Sequence, residues 1–256
     1  MRLFLAGIAA LVMSATSAQA DNSTSWRVPA PRLAQYTHFT NLEDGASIET
    51  PFLLKFGLTG MGLAPITKAQ AHTGHHHLLI NRELPLDFDK PLPFNDQYIH
   101  FGKGQMETVL KLKPGNYTLR LVLADNRHVP NFVYSKPLHV TVKKFNADVT
   151  PESVIKPGAQ LIVPKAEAAH NEPLQVMFHV SKGNVSHVAL KEPGTGHFKL
   201  TVAGSAGTQV MDMTGGETET WIAPPVGSYT LKLDFIDNVN AGKVIYSAEP
   251  ASITVR

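Results

Sequence analysis

The 256-residue chain carries Lys+Arg 23 against Asp+Glu 21 and has no cysteine. A nearly neutral balance without a dense basic run gives no electrostatic case for nucleic acid or anionic lipid as a partner. The missing cysteines exclude a disulfide scaffold, thiolate metal sites and a nucleophilic thiol, which leaves histidine, 12 in number, as the dominant candidate ligand.

In chain order, Met1-Arg2, an apolar stretch from Leu3 to Met13 and Ala18-Gln19-Ala20 have the charged, apolar and A-x-A order of a secretory signal peptide. Residues 1–20 are therefore set apart from the fold, and the mature chain is expected in the periplasm or secreted. No later stretch approaches the ~20 apolar residues of a membrane helix, so no membrane span is expected in the mature chain. Residues 21–34 read as a mobile or loosely docked N-terminal arm.

Beyond the arm, prolines and glycines punctuate short segments in which apolar and polar residues alternate. PFLLKFGL sends Phe52, Leu54, Phe56 and Leu58 to one face, and YTLRLVLAD does the same with Tyr117, Leu119, Leu121 and Leu123. This pattern predicts an all-β chain of sandwich type.

An internal repeat sets the domain count. PFLLKFGL matches PLQVMFHV and TGHHHLLI matches TGHFKLTV at an offset of 122 (173 against 51, 195 against 73). ETVLKLKPGNYTLRLVLADN matches ETWIAPPVGSYTLKLDFIDN at an offset of 112 (219 against 107), so the first copy carries ten extra residues between Ile80 and Glu107. The expected architecture is two tandem immunoglobulin-like β-sandwich domains, residues 35–143 and 153–256, joined by a linker over 144–152.

The second copy tells which way the histidines of TGHHHLLI point. In TGHFKLTV, Phe198, Leu200 and Val202 form the apolar set, which maps His76, Leu78 and Ile80 inward and His75, His77 and Leu79 outward. His75 and His77 are then an H-x-H pair on one strand face, two imidazoles able to converge on one ion. His76 reads either as a core-edge residue bonded to the backbone or as a further ligand. Such sites take three or four ligands, and the first repeat offers His100, in the inserted region, and His128, in the turn after the long strand. The second copy has Lys199 in place of His77 and Asn240 in place of His128. A cation at 199 would oppose a bound metal.

Glu107 and Asp125 recur as Glu219 and Asp237. They read first as strand-end and turn residues and second as partners that orient an imidazole. Met61 and Met106 read as packing residues, or as thioethers beside the site that would favour copper over zinc.

With TGHHHLLI, HFGKGQMET and LKPGNYTLRLVLADNRHVP in place, residues 39 to 142 resemble the bacterial domain of unknown function 4399 family. The resemblance implies an exported domain with a histidine-rich signature and no assigned activity. On the matching positions that signature is His75, His76, His77, His100, Glu107, Asp125 and His128. The sequence departs from the family's pattern at Asn81, where an acidic residue is usual, and at Tyr117 and Asn131, where histidine is usual. The second repeat reads as a degenerate copy that would not be recognised alone.

Three functions remain. The first is a metal-binding protein, copper first and zinc second, with a metal ion as its partner. The second is a non-catalytic envelope module that docks another envelope protein and uses its histidines as hydrogen-bonding groups. The third, a metalloenzyme, lacks support, because no G-x-S-x-G, H-E-x-x-H or P-loop motif occurs and no catalytic residue can be assigned.

Overall fold

A computed structural model describes residues 25–32, 34–84, 87–165, 168–171 and 173–256. The predicted signal peptide and residues 21–24 lie outside the described residues. The strands of the first half are β1 (Arg27–Val28), β2 (Tyr36–Phe39), β3 (Ala46–Thr50), β4 (Phe52–Thr59), β5 (Gly62–Leu63), β6 (Thr73–Ile80), β7 (Tyr98–His100), β8 (Glu107–Leu110), β9 (Gly115–Ala124), β10 (Pro130–Tyr134) and β11 (Leu138–Phe145). Those of the second half are β12 (Gly158–Val163), β13 (Ala168–His170), β14 (Leu174–Ser181), β15 (Gly196–Gly204), β16 (Gly207–Asp212), β17 (Glu219–Ile222), β18 (Gly227–Asp237), β19 (Val244–Ser247) and β20 (Ala251–Val255). Among the described residues no helix is long and apolar enough to cross a membrane.

The two halves are immunoglobulin-like sandwiches whose central strands follow the same order, while the edge strands β1, β5 and β16 differ. In the first, β2-β4-β8 faces β3-β11-β9-β6-β5, with β7 added to β6 and β10 to β9. In the second, β1-β17-β14-β12 faces β13-β20-β18-β15-β16, with β19 added to β18. The alternation read from the sequence fills the first core with Leu54, Phe56, Leu78, Leu119 and Leu121, all fully buried. The second core is built on Phe178, Phe198, Leu200, Leu231 and Phe235. Each such side chain contributes roughly 2 kcal/mol by leaving water.

The arm is a correction to the sequence reading. Trp26 is buried, its ring edge against Tyr229 at 5.3 Å, and β1 pairs antiparallel with β17. An indole face of this size finds its burial in the second repeat, far along the chain, which a local reading of the arm cannot see.

The repeats meet along a seam with approximate two-fold symmetry. Leu63 N donates to Gly216 O at 2.8 Å, and its image under the repeat offsets, Val185 N to Gly104 O, is also 2.8 Å. Likewise Thr59 Oγ1 donates to Glu219 Oε2 at 2.9 Å, and Ser181 Oγ to Glu107 Oε2 at 2.7 Å. Between these polar contacts Leu58, Leu63 and Met106 of the first repeat join the apolar cluster of the second. Two copies of one surface meeting in this way have the arrangement of an isologous dimer interface.

Candidate metal centre

Strand β6 alternates as the repeat comparison predicts, yet all eight of its residues are buried. The outward face is covered because Leu92 and Tyr98, from the region that holds the ten extra residues, pack on Leu79, Val122 and Ala124. The insertion thus adds a third layer to the sandwich. It turns the expected exposure of His75 and His77 into 1% and 0%.

Four imidazoles converge at the edge of that layer. His75 and His77 stand two residues apart on β6, and β7 places His100 directly across from His77. His128 comes from the turn after β9, where it adopts a left-handed backbone (φ 67°). Asp125 shapes this turn: its Oδ1 accepts from Arg127 N at 2.8 Å and Val129 N at 3.0 Å, and its carbonyl accepts from His128 N at 2.9 Å. The His128 carbonyl in turn accepts from Leu92 N at 2.9 Å, which ties the covering loop to the turn.

One ligand atom from each of His75, His77, His100 and His128 lies within 4.8 Å of the other three, so the group could hold a metal ion. His75 Nε2 and His77 Nε2 are 2.9 Å apart. His75 Nδ1, His77 Nδ1, His100 Nε2 and His128 Nδ1 are buried without a hydrogen-bond partner. The nitrogens that approach each other at His75 and His77 are the Nε2 atoms, and a cation between them could take one nitrogen from each of the four imidazoles. Burial, reinforced by the neighbouring imidazoles, pushes the pKa of His75 down to about 3 and that of His77 down to about 2; Asp125 opposes the shift at His75. Burial and then His128 also lower His100. Rings held neutral keep a lone pair free for a metal at ordinary pH.

His76 faces the other way. It is fully buried, donates from Nδ1 to Thr37 Oγ1 at 3.1 Å while Thr37 donates to Gly57 O, and meets Phe56 edge-on at 5.4 Å. These contacts make it a core residue and separate it from the other four.

The companions proposed from sequence are distributed differently. Asp125 works through the turn rather than by bonding an imidazole. Glu107 faces the seam and accepts from Ser181 Oγ, from His179 Nε2 at 3.1 Å and from Lys182 N at 3.1 Å. Burial pushes this carboxyl up, but the bonds from His179 and Ser181 outweigh it and hold the pKa below the usual range. Met106 is fully buried in the core cluster between the repeats, and Met61 packs against the same cluster. Both methionines thus have the packing role.

Sequence reasoning passed over Gly102. A Cβ there would run into Nε2 and Cε1 of His100, so the glycine leaves room for the ring, and Ile66 closes in from the loop before β6. A glycine two residues after a candidate ligand was the available signal. Phe94, from the covering loop, meets His100 edge-on at 5.2 Å.

A family model for a domain of unknown function (DUF4399) matches residues 54–143 and again residues 176–256. The chain belongs to the DUF4399 family. Recognition of both copies corrects the expectation that the second would go unrecognised alone: the DUF4399 pattern survives there without His77, His100 and His128. No curated protein matches this DUF4399 chain. Among solved structures it is similar to the fibronectin(III)-like modules of Clostridium thermocellum CbhA, at 15% identity and a TM-score of 0.27, over 86% of this chain and 92% of that one. It is also similar to the chicken CNTN1 FN1-FN3 domains, at 10% identity and a TM-score of 0.26, over 84% of this chain and 68% of that one. A DUF3823 family protein from Bacteroides uniformis matches at 12% identity and a TM-score of 0.26, over 87% of this chain and 100% of that one.

Proposed function

We propose that this DUF4399 protein is an exported, non-catalytic metal-binding protein that holds copper first and zinc second through His75, His77, His100 and His128. The observation that carries the reading is the convergence of four imidazoles, one ligand atom of each within 4.8 Å of the other three, with His75 and His77 fully buried. Export rests on the signal-peptide order of residues 1–20.

The preference for copper rests on donor type. Four imidazoles without thiolate suit Cu(II). The four ligand atoms lie within 4.8 Å of one another, near enough for one ion to draw them together. Bound there, the ion would replace the His75–His77 contact and fasten β6, β7 and the β9–β10 turn together.

Calorimetric titration of tag-free protein with Cu(II), Cu(I) and Zn(II) tests the proposal. Micromolar or tighter binding of copper, lost in His75→Ala/His77→Ala, is the expected result. Binding that survives the double change would sink this site.

A second reading draws on Phe94 and Phe132, both 77% exposed, the latter stacked on Phe88 at 4.2 Å. Large exposed rings suit docking of another envelope protein. Retention of an envelope protein by wild type but not by Phe94→Ser/Phe132→Ser would favour it.

A further inference from the structure

The fourth side of the metal centre is closed by a segment that the second repeat holds. His100 ends β7, and the chain runs through Gly102, Gly104 and Gln105 into β8 at Glu107. The near end of this run is anchored inside the first repeat, where β7 pairs with β6 and Phe101 N donates to His76 O at 3.0 Å.

Its far end is anchored across the seam. Gly104 O accepts from Val185 N, Gln105 forms an antiparallel bridge with Asn184, and Glu107 gathers His179, Ser181 and Lys182 N. The approach is close enough that a Cβ on Gly104, already at φ 84°, would run into the Val185 carbonyl. From the opposite side Ile66 N donates to Gly102 O at 3.0 Å, and neighbouring Thr67 donates to Glu192 Oε2 at 2.9 Å, again in the second repeat.

We infer that the second repeat is a splint for His100, with His179 and Ser181 as positioning residues that set metal affinity from across the seam, through Glu107, without being ligands. The inference rests on the metal-binding reading and adds a division of roles between the repeats. It also carries a reciprocal consequence: if the seam fixes His100, a metal on His100 must tighten the seam.

The approximate two-fold axis supplies an internal control. Glu219 makes the image contact with Thr59 on the other arm of the seam, where the corresponding run, Gly215 to Thr218, carries no histidine. Loosening the two arms should therefore affect the metal centre unequally.

The test uses full-length, tag-free protein and Cu(II), read by calorimetry, by electron paramagnetic resonance and by amide hydrogen exchange. His179→Ala and Ser181→Ala are expected to weaken Cu(II) binding on the order of 10-fold and to move the copper spectrum toward that of His100→Ala. Added to His100→Ala, either change should cost nothing further, because both act through the same ring. Glu219→Gln should leave affinity within about 2-fold, and Cu(II) should slow exchange at the amides of Lys182 and Val185. Undiminished affinity with an unchanged spectrum in both seam variants overturns the inference, as does an equal loss in Glu219→Gln or in the background lacking His100. Should His179→Ala fail to fold, Ser181→Ala decides by the same criteria. Wild-type protein that binds neither Cu(II) nor Zn(II) overturns the metal reading itself, and this inference with it.

Discussion

Strands β6 and β15 occupy the same place in two copies of one fold, yet one is buried on both faces and the other on only one. On the outer face of β15 stand His197, Lys199 and Thr201, with Lys232 and Asp234 on the neighbouring strand paired at 3.0 Å. On that face Lys232 is exposed and His197, Lys199 and Thr201 are only half-buried. On β6 the equivalent face carries His75, His77 and Leu79 beside Val122 and Ala124, and the region of the ten extra residues closes over it. The turn beyond is common to both copies: Asp237 accepts from Val239 N and Asn240 N much as Asp125 accepts from Arg127 N and Val129 N. The scaffold is therefore held in common, and the difference lies in ligands and cover together. Without cover these rings would be solvated; buried, His75 and His77 stay neutral and meet each other through Nε2.

The strongest way to break the contrast is to remove what only the first repeat has. His75→Ala/His77→Ala should weaken Cu(II) roughly a thousand-fold or more, since each ligand of a four-ligand site carries a few kcal/mol; calorimetry reads it directly. A second expectation concerns stability. Free Cu(II) at about a thousand times its Kd should add about 4 kcal/mol and raise the Tm by roughly 10 °C in differential scanning, with no rise in the double variant.

Acid should sharpen the contrast from another direction. In metal-free protein His75 and His77 titrate at about 3 and about 2, below the ~6.5 of an unfolded chain. The unfolded state therefore binds more protons across that interval. The stability that these rings supply is complete above pH ~6.5 and drains as pH falls toward their folded values, by ~1.4 kcal/mol per unit for each ring. Urea midpoints between pH 7 and 4.5 should fall more steeply for wild type than for the double variant.

A smaller effect is expected of Gly102→Ala. The methyl group must displace the His100 ring, and affinity should fall on the order of 10-fold, with the copper spectrum shifted. Least of all should follow from Lys199→His in the second repeat: a second H-x-H pair without cover and without counterparts of His100 and His128 should add no calorimetric binding step. A new site of comparable affinity there would show that the cover is dispensable.

Much of this was legible in the sequence. Alternation marked the sandwich strands, the repeat marked two copies of one fold, and Phe198 marked the inward phase of His76. Other features depend on contacts far apart in the chain. The burial of His75 and His77 comes from a loop whose packing no period-two pattern encodes. Glu107 lies near the histidines in sequence, but its imidazole partner is His179, across the seam. Met106 is a short step from His100, but it faces the core between the repeats. Nearness along a strand predicts a shared site only for residues on the same face.

The two-fold seam has a consequence for how such a protein can change. In an assembly of two identical chains every substitution is made twice, and a histidine gained on one subunit is forced on the other. Here both partners lie on one chain and still meet through matched contacts, Val185 with Gly104 and Leu63 with Gly216. Each half can then vary alone while the other preserves the shape it leans on. Lys199 in the place of His77 is what that freedom looks like in a single residue pair: one half carries the four converging histidines, and the other keeps the shared fold without them.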